Sequence, residues 1–79
     1  MLSLTALERQ CRACSDPALL GELLAVFRRR LSRLRDRRER AHFRARCESL
    51  EALRALRYEL AESRRENRAL QERLAAASS

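Results

Sequence analysis

Four side chains in this sequence carry the donor types of a metal centre. Cys11-Arg12-Ala13-Cys14 sets two thiols at zinc-knuckle spacing, and His42 and Cys47 would complete a set of four. Zinc requires every ligand atom within about 2.3 Å of one point. With a short helix folded onto a long one, the chain keeps these donors apart. Residue 42 lies 25 residues beyond Pro17, about 38 Å along a helix axis. Cys11 and Cys14 then read as small apolar core residues, and neither a metal nor another cofactor is expected. The sequence also holds no glycine-rich phosphate loop, no paired carboxylate site and no nucleophile–base pair. His42 has no Ser or Cys partner arranged for it, so neither an enzyme nor a small-molecule substrate is expected.

The arginines carry a second kind of chemistry. All eighteen basic residues are Arg, and Lys and Ile are absent. The missing types have AT-rich codons, which points to a GC-rich coding sequence. Ten of the arginines lie between residues 28 and 47 against Asp36 and Glu39, a local net charge of +8. Residues 1–27 sum to −1 and residues 48–79 to zero, so this stretch holds the whole excess of the +7 chain. On a helical wheel Arg29, Arg30, Arg33, Arg37, Arg40 and Arg44 share one broad face. Phe27, Leu31, Leu34, Ala41 and Ala45 fall opposite, with Arg38 intruding. Such a face suits an acidic protein or the phosphates of a nucleic acid.

A basic helix leading into heptads resembles the layout of the basic leucine-zipper family, and Ala41, Ala45 and Arg46 fit that pattern counted from Arg38. Arg38 itself stands where the family has its defining Asn, and His42 stands at the second small position, so the chain is not placed there. Arg29-Arg30-Leu31-Ser32 has the order of a basophilic kinase site and of part of a nuclear-import signal. An Arg-rich chain yields such strings by composition alone.

An odd count of three cysteines with no signal peptide predicts a reducing compartment, nuclear or cytoplasmic rather than secreted. Early Glu8 and sparse Arg argue against reading the first fourteen residues as a mitochondrial leader. No apolar run approaches the roughly 18 residues of a membrane span, and the Arg face lacks the Trp and Lys of an interfacial helix. A membrane partner is therefore not expected.

These side chains need elements to hold them, and composition allows only helices. Leu, Ala, Arg and Glu dominate, Val26 and Thr5 are the only β-branched residues, and the one Gly and one Pro (Gly21, Pro17) both fall early. A first helix opens near Ser3 or Thr5, the latter at capping-box spacing from Glu8. Its apolar stripe is Leu4, Leu7, Cys11 and Cys14, with Glu8 and Arg12 paired on the wet side. Ser15-Asp16-Pro17 then breaks the chain, with Asp16 as N-cap of a second helix. That helix has no evident stop for about sixty residues, roughly 90 Å. Its early arc from Leu19 to Phe27 is too wide for one seam, so the first helix is expected to fold back and cover it. Two such hairpins would make a four-helix head. The head core is expected to be Leu4, Leu7, Cys11, Cys14, Leu20, Leu24, Phe27 and Leu31.

Farther along, Leu53, Leu60, Asn67 and Leu74 fall at a positions, and Leu56, Ser63, Leu70 and Ala77 at d. The stripe that starts at Leu20 runs one residue out of step with this seam, so a skip is expected near residues 43–52, around Phe43, Cys47 and Leu50. A lone Asn at a favours a parallel two-stranded pairing, and Glu59 at g would meet Arg64 at e of the partner. Antiparallel pairing would cluster Glu59 with Glu66 and Arg57 with Arg64. The expected fold is all-α: a short helix plus a long helix forming a helical hairpin, dimerising through a parallel coiled coil. It divides into a hairpin head (1–34), an Arg-rich helix with the skip (35–52) and a coiled-coil tail (53–79). The tail seam is Leu53, Leu56, Leu60, Asn67, Leu70 and Leu74. The expected function is a homodimeric scaffold that docks a protein through its apolar head or its Arg face, with nucleic acid as the alternative partner.

Overall fold

The computed structural model describes residues 2–78, and every regular element in it is an α-helix. Helix α1 spans Leu4–Ala13, α2 spans Pro17–Ser32 and α3 spans Arg37–Ser78. Ser3, rather than Thr5, caps α1, its Oγ accepting from the Ala6 N–H at 3.1 Å. Asp16 caps α2 through the Ala18 N–H at 3.0 Å, with Pro17 in the first turn.

The long uninterrupted second helix does not form. The chain breaks at residues 33–36, where Asp36 starts a new helix by accepting from the Arg38 N–H at 2.8 Å and the Glu39 N–H at 3.4 Å. Asp36 and Glu39 have the i, i+3 spacing of a helix start, a signal masked by the arginines around it. The Arg40 guanidinium then holds the corner shut, its Nε donating to the Leu34 carbonyl at 3.2 Å. Ser32 Oγ donates to the Arg29 carbonyl in the last turn of α2.

The break turns the expected hairpin into a three-helix head within one chain. α2 returns along α1, and the first half of α3 returns along α2. α1 covers part of the wide arc as expected, and α3 covers the rest, adding Cys47 and Leu50 to a core of Leu4, Leu7, Cys11, Leu20, Leu24 and Phe27. Phe43 and Leu53 pack at its margin with Cys14, Leu23, Val26, Leu31 and Leu34. Phe27 meets Phe43 edge-on, with ring centroids 6.2 Å apart. Burying each of the large side chains Phe27, Leu20, Leu24 and Leu50 contributes about 1.5–3 kcal/mol.

α3 is about 63 Å long by its 42 residues, which accounts for the 64 Å length of the molecule. The head uses only its first half. Beyond Arg57 the helix runs on alone to Ser78, exposed on every side except at Ala61.

Candidate functional site

The free half of α3 presents a row of large apolar side chains. Leu56, Leu60, Leu70 and Leu74 are 61%, 50%, 53% and 67% exposed, and Asn67 lies in the same row between Leu60 and Leu70. Of the six residues read as a seam, Leu53 alone packs in part against the head. The other five share one open face, and it does not coincide with the head-facing side of α3. At about 100° per residue, the row from Leu56 to Leu74 lies roughly 150° around the axis from Cys47 and Leu50.

Charges along this half are also unused. Glu59, Glu62, Arg64, Arg65, Glu66, Arg68, Glu72 and Arg73 enter no ion pair among the described residues. Two i, i+4 neighbours, Glu62 with Glu66 and Arg64 with Arg68, carry like charge and oppose the isolated helix.

Two arginines at the base of this half tie it to the head. Arg57 donates to two carbonyls in the last turn of α1, Cys11 O at 3.3 Å, which also accepts the Cys14 N–H, and Arg12 O at 2.6 Å. Arg54 donates to the Pro17 carbonyl at 3.3 Å and to the Tyr58 hydroxyl at 3.2 Å, and its guanidinium lies over the Tyr58 ring. Gly21 makes room for it, since a Cβ there would come within 2.9 Å of the Arg54 side chain. Sequence reading missed both roles, because a carbonyl acceptor leaves no trace in side-chain spacing.

The six arginines read as one helical face are split by the corner. Arg29, Arg30 and Arg33 stand at the end of α2, and Arg37, Arg40 and Arg44 in the first turns of α3. Arg40 is half-buried and spent on the Leu34 carbonyl. Arg28 pairs with Glu51 (Nε to Oε1, 2.9 Å), and Arg46 reaches Glu8 at 3.6 Å beside the Glu8–Arg12 pair at 3.3 Å. The guanidinium groups of Arg29, Arg30, Arg33, Arg35, Arg37, Arg38 and Arg44 have no acceptor among the described residues. They crowd one end of the head.

Near them α1 and α2 leave an open cleft of about 490 Å³, lined by Leu2, Leu7, Val26, Arg29, Arg30 and Arg33. Its lining comes from Leu2 ahead of α1, from α1 and from the end of α2, so no single wheel could reveal it.

The cysteines lie closer together than the sequence implied. The break at residues 33–36 brings Cys47 back into the core that buries Cys11, overturning the separation argued from one long helix. Burial raises both thiols above their ordinary 9.0; the neighbouring Cys14 adds to the shift at Cys11 and Glu51 to that at Cys47. Cys47 Sγ donates to Glu51 Oε1 at 3.7 Å. His42 stays on the surface against the Phe43 ring, at 4.9 Å between centroids. Among the described residues no group of three or more His, Cys, Asp or Glu is placed to hold a metal ion, and no helix is long and apolar enough to cross a membrane. No protein-family model, curated protein or solved structure matches this chain.

Proposed function

We propose that this protein is a homodimeric scaffold whose chains pair in parallel along the free half of α3 and carry two three-helix heads at the same end. The observation that carries this reading is the open row Leu56, Leu60, Leu70 and Leu74 on a helix that leaves the head unaccompanied. A lone helix of about twenty residues is marginal in water, and its stability comes from burying such a face. Polarity supports a parallel pair. In that arrangement Asn67 meets Asn67 across the two-fold axis and each amide supplies the other's hydrogen bond. Glu59 then faces Arg64 of the second chain, giving the unpaired charges of the tail a use. Light scattering on the eluting protein tests the reading. Twice the 9.2 kDa of one chain is expected, and a monomer at micromolar concentration would overturn it.

A second reading, nucleic-acid binding, is favoured by the seven arginines without acceptors at one end of the head. A protein that neutralises several phosphates loses affinity steeply with salt, by about a thousandfold or more between 50 and 200 mM for six contacts. Labelled duplex should therefore shift at low salt and be released at physiological salt. No shift at low salt ends this alternative.

A further inference from the structure

We infer that the cleft between α1 and α2 docks an acidic amphipathic helix from a partner protein. The inference deepens the scaffold reading by naming what the head holds. Its floor is aliphatic, made by Leu2, Leu7 and Val26, and its rim is Arg29, Arg30 and Arg33. A volume of about 490 Å³ accepts more than one large apolar side chain. The three rim guanidinium groups have no acceptor among the described residues, so carboxylates flanking the inserted side chains would meet unpaired donors.

Helix-in-groove recognition needs this combination: apolar anchors at i, i+3 or i+4, and i+7, with complementary charge beside them. Residues 1–79 are not the source of that ligand. Residues 48–79 are electrically balanced, residues 1–27 carry a net charge of only −1, and both are committed to the head or the proposed tail seam. A nucleic acid suits the cleft less well, since the lining has no aromatic ring to stack a base and phosphates gain nothing from an aliphatic floor. A free fatty acid would leave its chain open to solvent in so exposed a cleft, whereas a helix brings its own face to close it.

The test uses the full chain and a fluorescein-labelled synthetic peptide with Leu and Phe at helical spacing and Glu between them. Anisotropy is read at physiological ionic strength, where the Debye length of about 8 Å screens distant charges. Saturable binding is expected, with no binding by a peptide of the same composition in scrambled order. Arg29→Gln, Arg30→Gln and Arg33→Gln together should weaken it about tenfold, and Leu2→Ser should weaken it severalfold. An equal loss of charge away from the cleft, Arg35→Gln, Arg37→Gln and Arg38→Gln, should leave it within about twofold.

Equal binding of the scrambled peptide, or equal losses from the two arginine sets, would overturn the proposal. So would displacement of the peptide by dodecanoate at lower concentration than by unlabelled peptide, which would make the cleft an amphiphile site. Leu60→Asp separates this inference from the dimer reading. It dissociates the proposed tail seam and leaves the cleft untouched, so a monomer that still binds peptide refutes neither claim.

Discussion

Leu60→Asp should separate the proposed dimer into folded monomers, and the size of the effect follows from exposure. Leu56, Leu60, Leu70 and Leu74 each keep half to two-thirds of their surface in water. Full burial of a leucine is worth about 1.5–3 kcal/mol, so each has about 1–2 kcal/mol still to gain. Eight such side chains meet in a two-fold seam, for a gross gain of roughly 8–16 kcal/mol. Association itself costs an amount of similar size, about 4–15 kcal/mol. A seam so balanced does not survive a charge at its centre. The substitution removes about 2–4 kcal/mol of apolar burial from the pair and sets two carboxylates against each other in a dry layer. The dissociation constant should rise at least about a hundredfold. Sedimentation equilibrium over a dilution series measures this directly. Circular dichroism should show the tail losing helix, because a free segment of that length is marginal. The head should melt as before, since Leu60 lies outside its core. A Leu60→Asp protein that stays dimeric at every dilution would refute the seam, and one whose head melts early would show that Leu60 supports the head instead.

Three further outcomes are expected. Asn67→Leu should raise the melting temperature of the dimer and admit trimers or tetramers by light scattering, because the amide that fixes register is gone; an unchanged dimer with an unchanged melt places Asn67 outside the seam. Asp36→Ala removes the acceptor of the Arg38 and Glu39 N–H groups and should cost about 1 kcal/mol, lowering the melt of the head by about 4–8 °C; an unaltered melt would mean that Arg40 on the Leu34 carbonyl suffices to hold the corner. The raised Cys11 and Cys47 thiols couple folding to alkali: the folded-state value exceeds the unfolded one, so their contribution is whole below about pH 9.0 and is lost as the pH rises through the folded value. Denaturant melts on either side of pH 9.0 should show that loss, Cys11→Ser with Cys47→Ser should flatten it, and a loss of the same size in the double variant would refute the attribution.

Much of the head was legible because its signals are local. Asp16-Pro17 announces a helix start by the geometry of proline and a carboxylate acceptor, and Leu4, Leu7 and Cys11 keep one face at helical spacing. Residues 33–36 were not legible. Nothing there breaks a helix by its own backbone, and the signal is a single Asp among arginines. Periodicity even carried the upstream stripe across the corner, from Leu31 and Leu34 to Ala41 and Ala45, although the residues of α3 that pack on the head are Phe43, Cys47 and Leu50. Losing the corner misplaced what depended on it: the source of the third helix, the continuity of the arginine face and the distance between Cys11 and Cys47.

The slip in apolar register marks the place where α3 changes what lies against it. Up to Leu50 the buried side of α3 is set by α1 and α2, and Arg54 and Arg57 extend that side to the carbonyls of Pro17, Cys11 and Arg12. From Leu56 onward the apolar row has moved about two-fifths of a turn around the axis. One unbroken heptad phase would have aimed the head and a second chain at the same face, where each could form only by displacing the other. A shifted phase lets the head close within its own chain while the proposed seam stays open for a partner. The acidic side chains Glu8 and Glu51 of the head are paired, Glu51 with Arg28 and Glu8 between Arg12 and Arg46, while its surplus arginines stay free at the corner end. The tail leaves its charges unpaired beside exposed leucines, and a helix so composed gains most of its stability from another helix laid along it.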